Sequence, residues 1–73
     1  NQKTTDYKSK VLEWCQKNGN TIEFKKLKQK GPDHKKLHFL QILINNKTIA
    51  EGWGKNIKAA EQKISEIAYN SVC

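Results

Sequence analysis

Residues 31–62 read GPDHKKLHFLQILINNKTIAEGWGKNIKAAEQ, and this stretch decides the fold. In its middle, residues 38–44 alternate, with Leu40, Ile42 and Ile44 on one face of a strand. Asn45-Asn46 is a two-residue hairpin turn, because Asn tolerates the positive φ that such a turn demands. Residues 47–54 then return as an antiparallel strand, with Ala50 and Gly52 leaving room for a helix to sit close. From Asn56 the period becomes helical, and Ile57, Ala60, Ile64, Ile67, Ala68 and Ser71 form an apolar stripe. Residues 30–36 form a charged loop in which Gly31-Pro32 stops the preceding strand.

On the N-terminal side, Asp6 is placed to cap a helix over residues 7–17, where Tyr7, Val11, Trp14, Cys15 and Asn18 recur at helical spacing. Asn18-Gly19-Asn20 ends it, with Gly19 in the left-handed cap position. Residues 21–28 alternate, with Ile22 and Phe24 on one face, and predict the first strand. The expected order is α-β-β-β-α, an α+β fold in which two helices cover one face of a three-stranded antiparallel sheet. Residues 1–5 are polar and read as a linker remnant, and residues 6–73 as one domain.

The topology has a geometric consequence. The loop at residues 31–36 and the helix start at residues 55–58 fall at the same end of the hairpin and must be neighbours. Both are basic. The net charge of +7 over 73 residues favours a polyanionic partner, nucleic acid before membrane. No apolar run reaches membrane-spanning length. All fourteen basic residues are Lys. Lysine neutralises phosphate as a point charge and lacks the bidentate fork that reads guanine edges, so backbone contact is better supported than base reading.

Lys55 and Lys58 flank the Asn56 cap where the helix dipole is already positive, a placement that costs a few tenths of a kcal/mol or more. It makes sense if phosphates come to that helix end. A solvated basic face is the bland alternative. His34 and His38 lie four apart, but nothing in the sequence brings Cys15 or Cys73 to them as a zinc site. The two cysteines form no CxxC pair and read as reduced thiols of an intracellular protein. The seven acidic residues are scattered, and no catalytic site is expected.

At this point the residues resemble a double-stranded RNA-binding domain, closest to the C-terminal domain of ribonuclease III. Asp6-Tyr7-Lys8-Ser9-Lys10-Val11-Leu12-Glu13-Trp14 is similar to the start of that domain. Gly31-Pro32-Asp33-His34-Lys35-Lys36 resembles its first loop, and Glu51-Gly52-Trp53-Gly54-Lys55-Asn56-Ile57-Lys58-Ala59-Ala60-Glu61-Gln62 its third strand and second helix. The resemblance implies a non-catalytic module lying across A-form RNA. Ser9, Glu13 and Gln16 would face one minor groove. His34, with Pro32, Asp33 and Lys35 around it, would reach 2′-hydroxyls in the next. Lys55, Asn56 and Lys58, helped by Gln62, would hold phosphates across the major groove. It also implies no cofactor in this chain, with magnesium belonging to a cutting domain elsewhere, and a cytoplasmic setting, or a nuclear one if the source is eukaryotic.

Three positions depart from that pattern. Ile57 stands where a second lysine is expected, Leu12 where Gln is frequent, and His38 where the second strand usually has an aromatic. Strand parity also sets Phe39, Leu43, Ile49 and Trp53 on the sheet face away from the helices. A solvent-facing sheet should be mostly polar, so these four point to contact with a second domain or a second copy. A Dicer-like enzyme or an adaptor protein is a rival parent within the same fold. A protein-interaction module with weakened RNA binding is the rival from another class; Ile57 and the outer face favour it, whereas His34 and Lys58 oppose it.

Overall fold

The computed structural model describes residues 6–72. The segment read as a linker remnant, and Cys73, lie outside the described residues. The element order is α1 (Tyr7–Lys17), β1 (Ile22–Lys30), a turn of 3₁₀ helix (Asp33–Lys35), β2 (Leu37–Ile44), β3 (Lys47–Gly54) and α2 (Ile57–Val72). The sheet is antiparallel in the order β1-β2-β3. The α-β-β-β-α fold expected from the sequence is the fold observed.

The local signals act as their chemistry dictates. Asp6 accepts the Ser9 amide and opens α1, and Gly19, with φ of 70°, follows its end. Asn45 and Asn46 both take positive φ, 53° and 67°, which turns β2 into β3 in two residues. The Asn45 carboxamide also ties the turn to the first strand's entry, accepting from the Thr21 amide at 3.0 Å.

One core fills the space between sheet and helices. Val11 and Cys15 come from α1, Leu40, Ile42 and Ile44 from β2, Ala50 from β3, and Ala60, Ile64 and Ala68 from α2. The close approach of α2 to β3 sets its position. A Cβ on Gly52 would lie 3.3 Å from Ile64 Cγ2, and one on Gly54 would lie 2.5 Å from the Ala60 nitrogen.

Three expectations need correction. First, β1 runs to Lys30 instead of stopping at Lys28, because a bulge lets pairing resume. Lys26 opposes Leu40, Lys28 opposes Phe39, and Leu27 is left over and 44% exposed. Second, a bulge in β3 falls at Ile49, since Ile42 opposes Ala50 while Leu43 opposes Thr48. Ile49 is half-buried and packs against the core, so the outer face keeps Phe39, Leu43 and Trp53 without it.

Third, the buried side of α2 keeps only Ala60, Ile64 and Ala68 of the stripe read from the sequence. Ile57 and Ile67 are exposed at 37% and 43%, whereas Ser65 is fully buried. The reason is that α2 has two neighbours. Ala60, Ile64 and Ala68 face the sheet side, while Glu61 and Tyr69 meet Lys8 and Tyr7 of α1. Ser65 lies one helical turn from each of those two, within the contact between the helices. Its Oγ has no hydrogen-bond partner.

Candidate nucleic-acid interface

The loop and the start of α2 share one groove, as the hairpin geometry required. Asp33, His34, Lys35, Lys36, Leu37 and His38 line one side, and Lys55 and Asn56 the other. The opening is shallow, about 680 Å³, and suits a surface ligand better than an enclosed small molecule.

Gly31 shapes the loop side. Its φ is 97°, and a Cβ there would meet the Lys35 carbonyl oxygen at 2.6 Å. The Lys35 amide donates to the Pro32 carbonyl at 2.8 Å, which closes the 3₁₀ turn and holds exposed His34 at its crest. Lys36 reaches the Asp33 carboxylate at 3.5 Å. That pair is solvent-exposed and contributes little.

On the other side, Asn56 Oδ1 accepts the Ala59 amide at 2.7 Å and caps α2. The capping oxygen is therefore engaged, and the opposite end of the same carboxamide carries the donors that a phosphate needs. The first turn of α2 has no acidic residue. Exposed Lys55 and Lys58 thus add their charge to the positive end of the helix dipole. Ile57, between them, is exposed and carries no charge.

A second depression runs between the helices, lined by Asp6, Lys8, Asn56, Lys58, Ala59, Glu61 and Gln62. Gln62 and Lys58 both line it. Lys8 was missed. Its Nζ lies 2.9 Å from Glu61 Oε1 and 5.3 Å above the Phe24 ring, so one lysine fastens α1 to both the start of α2 and the sheet. The partners are 53 positions apart, and no local pattern could have paired them.

Ser9, Glu13 and Gln16 are exposed at successive turns of α1 and share one side of that helix, with Leu12 beside them at 38% exposure. Ser9 is already engaged: its Oγ donates to Asp6 Oδ2 at 2.8 Å. That hydroxyl presents acceptor lone pairs, matching a 2′-hydroxyl that donates. The Ser9 hydroxyl and amide together hold the Asp6 carboxyl below its usual 3.8.

His38 lies on the core side of β2, opposite Gly54, and its Nδ1 is buried with no partner. The outer face carries a different arrangement. The Phe39 and Trp53 rings lie 4.8 Å apart and tilted by 39°, with Lys28 Nζ 5.7 Å from the first ring and Lys30 Nζ 4.7 Å from the second. Among the described residues, no group of three or more His, Cys, Asp or Glu could hold a metal ion. No described helix is long and apolar enough to cross a membrane.

Comparison with known proteins agrees with this geometry. The double-stranded RNA binding motif matches residues 7–72. Among curated proteins, the chain is 34% identical over 73 residues to Ribonuclease 3 of Natranaerobius thermophilus, covering 99% of this chain and 32% of that protein. It is 37% identical over 70 residues to Ribonuclease 3 of Treponema denticola, covering 94% and 28%. With Ribonuclease 3 of Oenococcus oeni the identity is 41% over 69 residues, covering 92% and 30%. The chain thus spans less than a third of the length of these relatives. The match from the first turn of α1 to the last of α2, on a fold and basic groove of the expected form, shows that this chain belongs to the double-stranded RNA-binding motif family and binds double-stranded RNA.

Proposed function

We propose that this chain is the duplex-holding module of a longer ribonuclease III-type endoribonuclease, and that it contributes affinity and position without cutting. The observation that carries the reading is the shared groove: a 3₁₀ turn presenting His34 faces a lysine-flanked helix N-terminus. Such a pair fits adjacent features of A-form RNA, with sugar hydroxyls at the loop and phosphates at the helix end. Lys55, Asn56 and Lys58 take phosphates, with Gln62 beside them. His34, Lys35 and the Pro32 and Asp33 backbone take the minor groove. Ser9, Glu13 and Gln16 take a second minor groove, completing a span of about 16 base pairs.

The parent activity rests on the relatives, which are all named Ribonuclease 3 and extend well beyond the matched part. Cutting, and the magnesium it uses, are assigned to a separate domain. The bacterial relatives and an RNA ligand favour a cytoplasmic setting.

The test is affinity for an RNA duplex, a DNA duplex of the same sequence and single-stranded RNA, each at two salt concentrations. Preference for the RNA duplex with a steep loss of affinity in salt is expected, because each neutralised phosphate releases counterion. Equal binding to DNA would remove the 2′-hydroxyl role of His34.

A further inference from the structure

We propose that the outer face of the sheet, at its loop end, stacks the unpaired bases of single-stranded RNA running off a duplex held in the groove. The inference rests on the groove reading above and adds a second surface with a different ligand form.

Three observations lead to it. The first is the aromatic pair. Phe39 and Trp53 oppose each other across β2 and β3, on the face away from the helices, with rings 4.8 Å apart. Two neighbouring rings on an open sheet face can receive successive bases, whatever their sequence, because every base has a stacking face.

The second observation is charge. Lys28 opposes Phe39 and Lys30 opposes Leu37, so both lysines project on this same outer face. Their ammonium groups lie over the two rings. A backbone phosphate would draw those ammoniums off the rings and leave the rings to the bases. The exchange is favourable, since a solvent-exposed cation–ring contact is weaker than base stacking. Charge also argues against a second copy as the occupant. Symmetric apposition would set Lys28 and Lys30 against the same lysines.

The third observation is continuity. Lys30 ends β1, Leu37 begins β2 and Trp53 is next to last in β3, so the patch lies at the sheet end from which the 31–36 loop and Lys55 emerge. A strand leaving the groove at that end meets Lys30 and Lys28 beside the rings.

The test uses three RNAs: a blunt duplex, the same duplex with a short uridine tail, and the tail alone. Affinity and tryptophan fluorescence are measured for the 73-residue chain and for Trp53→Thr and Phe39→Leu. Threonine keeps strand propensity, and leucine keeps apolar area without the ring. The tail should tighten duplex binding about tenfold and quench fluorescence. Both variants should lose most of that gain while holding the blunt duplex as before. Equal affinity for blunt and tailed duplexes would overturn the proposal, as would a tail gain that survives in both variants. A doubled mass in light scattering, abolished by Trp53→Thr, would give the face to a second copy instead. If the blunt duplex is not bound but the tail alone quenches Trp53, the groove reading falls and this surface stands. Failure of all three RNAs to bind overturns both.

Discussion

Gly54 and Ala60 approach so closely that no side chain fits between them: a Cβ on Gly54 would stand 2.5 Å from the Ala60 nitrogen and 2.7 Å from its Cβ. This contact seats the first turn of α2 against the end of β3, and it therefore sets where Lys55 and Lys58 sit relative to the loop. The obstruction is backbone, which cannot rotate away. Gly54→Ala should cost about 1–3 kcal/mol of stability, as overpacking of a filled core does. It should also weaken duplex binding beyond that loss, because the helix start must shift. Urea unfolding and an affinity titration at a concentration where the variant is folded would separate the two effects.

His38 offers the opposite change. Its Nδ1 is buried without a partner, and a buried polar atom left unsatisfied costs about 1–3 kcal/mol. His38→Phe keeps an aromatic of similar size on the core side of β2 and removes that atom. The variant should raise the urea midpoint, with stability up by about 1 kcal/mol. A lowered midpoint would show that the imidazole is satisfied in solution.

Ile57 offers a test of the phosphate contacts proposed for this helix end. It is exposed between two lysines at the helix end, so a charge there would meet the same phosphates. Ile57→Lys should tighten duplex binding several-fold and steepen the log–log salt slope by about 0.9, one added phosphate contact. Lys58→Ala should move both quantities the other way, and equally for all duplex sequences. A sequence-dependent loss in Lys58→Ala would contradict a purely electrostatic role.

The α1 cap should respond to acid. The Ser9 hydroxyl and amide lower the Asp6 pKa in the folded chain below its usual 3.8. A group depressed on folding stabilises above its unfolded pKa and loses that contribution as pH falls through the folded value. Melting temperature should therefore decline below about pH 4 partly through this residue. In Asp6→Asn, which keeps a capping oxygen, that part of the decline should be absent. An unchanged pH profile would show that the exposed cap is screened out.

The fold was legible because its decisive signals are local. Asn45-Asn46 favours a turn, Asp6 and Asn56 favour caps, and the Leu40, Ile42, Ile44 alternation names the core face. The groove followed from topology, since a two-residue turn forces both ends of the hairpin to one side. What escaped the sequence was non-local. Nothing in the helical period of α2 reveals a second neighbour, so the period alone places Ile67 inside and Ser65 outside. The Lys8–Glu61 pair joins the two ends of the domain. The bulges at Leu27 and Ile49 leave no mark in composition, yet each changes which residues share a face. The roles proposed for individual groove residues come from resemblance, apart from Lys55 and Lys58, whose place at a helix N-terminus argues for phosphate on its own.

Leu27 has a consequence that resembles a frameshift. Before it, the even-numbered residues of β1 belong to the helix-covered side: Phe24 opposes Ile42 and Lys26 opposes Leu40. After it, the even-numbered Lys28 and Lys30 belong to the open side. Leaving Leu27 out of the pairing thus keeps two charges on the open surface that unbroken alternation of the same residues would send to the other, with no change in their identity. Deleting Leu27 would leave Lys28 opposite Phe39 and Lys30 opposite Leu37. Pairing Leu27 opposite Phe39 would instead send both ammoniums to the helix side and strip the aromatic pair of its cations. The charge map of this small domain is therefore written in which residue the strand register skips as much as in the kind of residue.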